Sequence, residues 1–184
     1  MRIISGTARG TKLYTLEGDN TRPTLDRVKE SLFNILQKEI IGSTFLDIFG
    51  GSGAIGLEAA SRGAKKVILC DNSNEACSII KKNMEKTHLE EKVKLYNLDY
   101  KIVLEKTKEI QFDIIYIDPP YQTDYGIKVL EILKENLENI KNTTIIIETD
   151  DVEKYMIYIE KYGYIIEKNK KYGRASLLII KAKN

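Results

Sequence analysis

Two stretches of this 184-residue chain set glycines, prolines and carboxylates in patterns that a ligand site would use. The first is Leu46-Asp47-Ile48-Phe49-Gly50-Gly51-Ser52-Gly53-Ala54-Ile55-Gly56. Gly51, Gly53 and Gly56 follow an apolar run at G-x-G-x-x-G spacing, which lets backbone turn sharply and approach a ligand without a Cβ in the way. A dinucleotide would fit that spacing too. Asp47 tilts the reading. A carboxylate four residues before Gly51 would repel a pyrophosphate, but it suits the cationic amino-acid end of S-adenosylmethionine, directly or through water. Asp71 ends the next apolar run, where a carboxylate can accept hydrogen bonds from both ribose hydroxyls of either cofactor class. Asp99, after the third run, could accept from an adenine amine or could be an ordinary helix N-terminal aspartate. Phe49 and Asn72, beside Asp47 and Asp71, complete the candidate cofactor set.

The second stretch is Asp118-Pro119-Pro120-Tyr121, after the apolar run Phe112–Ile117. Two consecutive prolines fix φ and remove two N–H donors. What remains is a rigid row of carbonyl acceptors beside a carboxylate, a pocket suited to an –NH2 group. An exocyclic amine on a base is a poor nucleophile because its lone pair is drawn into the ring. Accepting its two protons at Asp118 and the Pro119 carbonyl would localise that lone pair and aim it at a methyl group. Tyr121 offers a flat face on which a flipped base can stack. The plainer alternative is a proline-rich turn after a strand.

Positioning these groups requires a frame, and the chain alternates short apolar runs with helix-like stretches. The runs are Thr44–Phe49, Lys66–Asp71, Val93–Asn97, Phe112–Asp118 and Thr143–Glu148. Helical patterns occupy about 54–62, 73–87, 100–109, 126–138 and 151–160. Near-continuous apolar strands separated by helices predict an α/β fold, with a mostly parallel, doubly wound sheet covered on both faces. Tyr164–Lys168 and Arg174–Ile180 predict an antiparallel hairpin at its edge. Ahead of the sheet, residues 2–4 and 11–14 read as two short strands around a glycine-bracketed loop. A helix capped by Thr24 is expected to run to about Glu39. Residues 1–23 are therefore read as an extension and 24–184 as the main domain.

Net charge is only +2, but it is unevenly spread. The first fifteen residues hold Arg2, Arg9 and Lys12 and no acid, and residues 161–184 hold seven basic side chains against one acidic. Both ends are positive, and termini often lie near each other. A joint basic patch for a polyanion and a set of solubilising lysines both fit this pattern. Arg2, Arg9, Lys12, Arg22 and Arg27 are the candidate nucleic-acid contacts. Cys70 and Cys77 are expected as free thiols, and His88 has no cluster of metal ligands near it, so no metal is expected. The N-terminus lacks a signal-peptide pattern, and no apolar run is long enough to span a bilayer. A cytosolic protein without membrane association is expected.

Taken together these residues resemble the class I methyltransferases with an Asn/Asp-Pro-Pro-Tyr/Phe loop, and most closely the bacterial 16S ribosomal RNA guanine-N2 methyltransferases of the RsmD family. The resemblance runs along nearly the whole chain. It includes Arg2-Ile3-Ile4-Ser5-Gly6, Arg9-Gly10-Thr11-Lys12-Leu13, Thr21-Arg22-Pro23-Thr24, Asp26-Arg27-Val28-Lys29-Glu30-Ser31-Leu32-Phe33-Asn34, the glycine loop, Gly56-Leu57-Glu58-Ala59, Ser61-Arg62-Gly63-Ala64 and Asp118-Pro119-Pro120-Tyr121. The N-terminal blocks are the more specific ones. The resemblance implies a seven-strand Rossmann-like sheet with a reversed last strand, S-adenosylmethionine as cofactor, an N-terminal hairpin that contacts RNA, and the N2 amine of a guanine in 16S rRNA as methyl acceptor. Free rRNA or a small-subunit particle would be the partner, and a monomer is expected. Gly50 stands where the family often has alanine, and Asp71 where glutamate is common.

Three rivals fit parts of the pattern. An adenine-N6 DNA or RNA methyltransferase would use the same amine pocket, but the DNA enzymes usually carry a target-recognition domain that has no room here. A nicotinamide-dependent oxidoreductase fits the glycines and Asp71 but leaves Asp47 and the Asp-Pro-Pro-Tyr loop unexplained. A non-catalytic RNA-binding assembly factor explains the basic ends and neither loop.

Overall fold

A computed structural model describes residues 1–16 and 23–183. Seven strands form one sheet: β1 (Thr44–Asp47), β2 (Lys66–Asp71), β3 (Val93–Asn97), β4 (Ile114–Ile117), β5 (Thr144–Thr149), β6 (Tyr164–Tyr172) and β7 (Ala175–Ala182). Their order is β3-β2-β1-β4-β5-β7-β6. β1 to β5 pair in parallel, and β7 is antiparallel to both of its neighbours. The C-terminal hairpin thus inserts its second strand between β5 and β6.

Six helices cover the sheet: α1 (Pro23–Ile35), α2 (Ala54–Ser61), α3 (Asn74–Thr87), α4 (Tyr100–Lys106), α5 (Tyr125–Leu133) and α6 (Val152–Lys161). Strand side chains alternate between two cores. Phe45, Val67, Leu69, Ile114 and Tyr116 pack under α1, α2 and α3. Leu46, Ile68, Cys70, Ile115 and Ile117 pack under α4, α5 and α6. β1 lies at the centre of the five parallel strands, and the chain winds away from it in both directions. Its junction with β4 is where strand order reverses, and ligands gather outside the carboxyl ends of strands at such a point.

The structure redraws several expected boundaries. Thr24 lies inside α1, whose first residue is Pro23, so it does not cap the helix. The residue before Pro23 lies outside the described residues. α1 stops at Ile35, four residues before Glu39, and the chain continues through turns that end at Gly42, with φ of 77°. α4 ends at Lys106, after which Thr107 leaves helical geometry with φ of −113° and ψ of 8°. α5 ends at Leu133 and passes into a single 3-10 turn, Lys134–Asn136.

The expected N-terminal hairpin forms in short form: one antiparallel bridge, Arg2 with Lys12, flanked by backbone hydrogen bonds from the Ile3 amide to the Thr11 carbonyl, the Gly10 amide to the Ile3 carbonyl and the Leu13 amide to the Met1 carbonyl. α2 anchors this segment to the domain. Glu58, fully buried in an otherwise small and apolar helix, accepts from the Ile4 amide at 2.8 Å and the Ser5 amide at 3.0 Å. It also pairs with Lys29 of α1 at 3.3 Å and Arg62 at 2.7 Å. Ser61 adds three contacts, accepting from Thr7 and Ala8 amides and donating to the Ser5 carbonyl. The approach is so close that a Cβ on Gly6 would lie 1.9 Å from the Ser61 carbonyl oxygen. Free backbone donors thereby find partners that a two-residue strand pairing could not supply.

Candidate active site

The glycine loop and the Asp-Pro-Pro-Tyr loop leave the adjacent ends of β1 and β4. Gly51 and Gly53 both have positive φ, 55° and 79°, so the chain can reverse directly into α2. Gly56 allows α2 to sit against β2: a Cβ there would meet Leu69 Cδ2 at 2.4 Å. The loop is tied down from two sides. Asp71 Oδ2 accepts from the Gly51 amide at 2.9 Å, and the Asn83 amide donates to the Ser52 carbonyl at 2.8 Å.

Between the two loops lies a cavity of about 410 Å³, inside the size range of small-molecule sites. Phe49, Gly51, Asp71, Asn72, Tyr100 and Tyr125 line it, with Asp118 through Tyr121 as one wall. Phe49 and Tyr125 lie nearly parallel with ring centroids 6.4 Å apart, and Tyr100 is 5.5 Å from each. Flat apolar faces of this kind suit a purine ring.

Three observations test the fit to S-adenosylmethionine. Asp47, 1% exposed, lies next to the lining residue Ile48 and, like Gly53, not in the lining itself, and its Oδ1 has no hydrogen-bond partner among the described residues. Burial pushes its carboxyl up to about 7, Asp71 adds to the rise, and the backbone amides of Gly56 and Phe49 oppose it. Such a group gains from a nearby cation. Second, Asp71 and Asp118 line the cavity while no Lys or Arg does among the described lining residues, which suits a sulfonium and an ammonium and opposes a pyrophosphate. Third, Asp71 spends one hydrogen bond per oxygen, on Gly51 and on Ser73, and an ionised carboxylate can accept about four. Capacity for ribose hydroxyls remains. The residues fit the cofactor.

Asp99 takes its helix-terminal role: it caps α4, its Oδ1 accepting from the Lys101 amide at 2.9 Å. Its neighbours Leu98 and Tyr100 line the cavity.

The Asp-Pro-Pro-Tyr loop has a second side. A cavity of about 360 Å³ opens there, lined by the same four residues and by Glu148, Thr149, Asp151, Lys154 and Tyr155 among others. Tyr121 is 73% exposed, and Gln122 after it has φ of 60°, a left-handed turn uncommon for a side-chain-bearing residue. One wall therefore serves two compartments.

The family model described as Conserved hypothetical protein 95 matches residues 1–181. The ribosomal RNA small subunit methyltransferase D of Haemophilus influenzae is 36% identical over 172 residues, covering 91% of this chain and 88% of the relative. The chain belongs to the RsmD methyltransferase family. The RsmD relative of Escherichia coli K12 is 35% identical over 136 residues, or 74% of this chain and 68% of that one. Among solved structures, a candidate methylase from Haemophilus influenzae superposes with a TM-score of 0.72 at 30% identity, covering 100% of this chain and 99% of that one. The precorrin-6Y C5,15-methyltransferase of Geobacter metallireducens shares the fold alone, with a TM-score of 0.70 at 14% identity over both full chains. The chain is thus an S-adenosylmethionine-dependent methyltransferase of Rossmann-like fold.

In this RsmD-family chain Arg2, Arg9, Lys12 and Arg27 are all exposed, and Arg22 lies outside the described residues. The Arg2–Lys12 bridge sets two of these cations side by side. The Ser31 and Tyr172 hydroxyls hydrogen-bond, joining α1 to the end of β6, where Lys170 and Lys171 are exposed. No group of His, Cys, Asp and Glu among the described residues could hold a metal, and no helix there is long and apolar enough to cross a membrane. Cys70 and Cys77 are free. Reading the sequence alone misses Tyr100, Tyr125, Asn83 and Glu148. Glu148 carried a usable signal, since it ends an apolar strand as Asp118 follows one.

Proposed function

We propose that this protein transfers a methyl group from S-adenosylmethionine to the exocyclic N2 amine of a guanine in 16S ribosomal RNA, as a cytoplasmic monomer acting on rRNA or a small-subunit particle. The observation that carries the reading is the Asp118-Pro119-Pro120-Tyr121 loop standing as the common wall of two cavities. The first suits the cofactor. The second is acceptor-rich and has Tyr121 at its mouth, which suits a base turned out of its stack.

Bound, the cofactor supplies a methyl already activated by its sulfonium charge. The rest falls to the chain. Asp47 and Asp71 hold the cofactor at its amino-acid and ribose ends, with Phe49, Gly51, Gly53 and Asn72 around it, and Asp99 positions the lining residues Leu98 and Tyr100 by capping α4. Asp118 and the Pro119 carbonyl accept hydrogen bonds from the amine's two N–H groups and turn the nitrogen lone pair toward the methyl. Pro119 and Pro120 keep those acceptors from moving, and Tyr121 stacks on the base. As the N–C bond forms and the methyl–sulfur bond breaks, its electron pair returning to sulfur, the nitrogen becomes cationic, and its surplus proton passes to Asp118 or to water. Alignment supplies much of the acceleration, about 7–11 kcal/mol where reactants are well oriented. Residues 1–23 with Arg2, Arg9, Lys12, Arg22 and Arg27 hold RNA phosphates.

The test is methyl transfer from labelled S-adenosylmethionine to 16S rRNA and to small subunits from a strain lacking this protein, with the product identified by mass spectrometry. N2-methylguanosine at one position is expected. Label on adenine, or on neither substrate, overturns the assignment.

A further inference from the structure

A second carboxylate stands beside Asp118 on the substrate side of the wall. β4 and β5 pair in parallel with Ile117 opposite Ile147. Asp118, the first residue after β4, and Glu148, the next on β5, follow that last pair, and both line the same cavity. Glu148 is fixed from behind: the buried Tyr116 hydroxyl donates to its Oε2 at 2.5 Å, leaving Oε1 for a ligand. Three of the other polar lining residues are committed elsewhere, while Gln122, Asp150 and Tyr155 also line the cavity. Asp151 caps α6 through the Lys154 amide, Thr149 accepts from the Asp151 amide, and the Lys154 ammonium is paired with Asp124 at 2.6 Å.

Base chemistry gives this arrangement meaning. The amines of adenine and cytosine adjoin a ring nitrogen with a lone pair. The amine of guanine adjoins N1–H. Only guanine presents two neighbouring donors to two neighbouring carboxylates, and an adenine or cytosine in the same pose would point a lone pair at Glu148. We propose that Glu148 is a specificity-determining residue that accepts the guanine N1–H through Oε1 while Asp118 takes the amine, with Tyr116 as its positioning residue. This rests on the amine-methylation reading above. Burial raises the Glu148 carboxyl above its ordinary range, while the hydrogen bond from Tyr116 favours the ionised form, as would one from N1–H.

The probe is 2-aminopurine, which keeps the 2-amine but carries a lone pair at N1. Two 16S rRNA samples are joined from fragments, one with guanine and one with 2-aminopurine at the position mapped by mass spectrometry. Single-turnover methylation is then compared. Wild type should methylate guanine about tenfold to a hundredfold faster, the span of one hydrogen bond to a charged group. In Glu148→Gln the amide can turn its NH2 toward N1, so the ratio should collapse toward one. Tyr116→Phe should lower it part of the way. The missing O6 of 2-aminopurine affects wild type and variants alike, and a merely structural role for Glu148 would slow both bases equally. Calorimetry with S-adenosylmethionine reports whether each variant is folded. Equal wild-type rates on the two bases, or an unchanged ratio in Glu148→Gln, would falsify the proposal and leave guanine methylation standing. If no guanine is labelled at all, the function itself is refuted and the proposal with it.

Discussion

Replacing Glu58 with alanine should detach the N-terminal segment and destabilise the whole molecule. The carboxylate is fully buried and serves four partners: the Ile4 and Ser5 amides, Lys29 and Arg62. Arg62 is part-exposed and can turn to water. Lys29, 2% exposed, cannot. Its ammonium also donates to the Arg2 carbonyl, and burial already holds its pKa below the ordinary 10.5 despite the neighbouring Glu58. Breaking a buried pair from one side typically costs about 3–5 kcal/mol, because it strands the other charge. For a chain of this size each kcal/mol moves Tm by roughly 2–4 °C, so a fall of roughly 6–20 °C is expected by calorimetry. Removing both charges, as Lys29→Met with Glu58→Leu, should recover part of the loss, but the Ile4 and Ser5 amides would remain unpaired. RNA affinity should fall in Glu58→Ala while cofactor affinity holds. A Glu58→Ala melting point within two degrees of wild type would refute the reasoning that this carboxylate anchors the segment.

Asp71→Ala should weaken S-adenosylmethionine binding at least a hundredfold by calorimetry, since each lost charge-assisted bond is worth about 1.5–3 kcal/mol and the Gly51 anchor goes too; unchanged affinity in a folded variant removes Asp71 from the site. Asp118→Ala should cut single-turnover methyl transfer by orders of magnitude with cofactor affinity near wild type. Asp118→Asn keeps an acceptor, so residual activity means hydrogen bonding suffices, and wild-type rates in both variants mean the active site lies elsewhere. Arg9→Ala should weaken RNA binding and flatten its salt dependence by roughly one unit of slope; a fall in cofactor affinity instead would reassign the segment. Asp47 sets a pH dependence. Its folded-state carboxyl sits at about 7 against an ordinary 3.8, so the stability it contributes is complete below about pH 4 and is lost as pH rises through 7. A cofactor ammonium favours the ionised form, so affinity should rise from pH 6 to 8 with proton release, and Asp47→Asn should abolish that slope.

The parts of the fold that could be read in advance are those where one residue's type decides its place. β2 and β3 match their apolar runs residue for residue: β2 is buried from Val67 to Cys70, where a strand covered on both faces tolerates little else, while the edge strand β3 buries only Val93 and is marked by its β-forming residues. The two loops at the site were legible because glycine and proline act through their own backbone. Boundaries failed where a partner far in sequence decides. Nothing near Glu58 announces Lys29 or the Ile4 amide, and nothing near Asn83 announces Tyr14 or Ser52. Asp99 illustrates a tie between two local roles, and the structure shows the capping one in place. The pairing of Asp118 with Glu148 needed the strand register, which periodicity does not supply.

A wall shared by two compartments cannot be a neutral bystander. Whatever shift in the Asp118–Tyr121 loop helps one ligand settle is felt by the other, and equilibrium requires the exchange to be even-handed: the factor by which cofactor tightens RNA binding equals the factor by which RNA tightens the cofactor. The demethylated cofactor has lost its sulfonium charge, so it meets Asp71 and Asp118 with less attraction. The same partition that gathers the reactants thereby loosens its hold on both products once the methyl has crossed it.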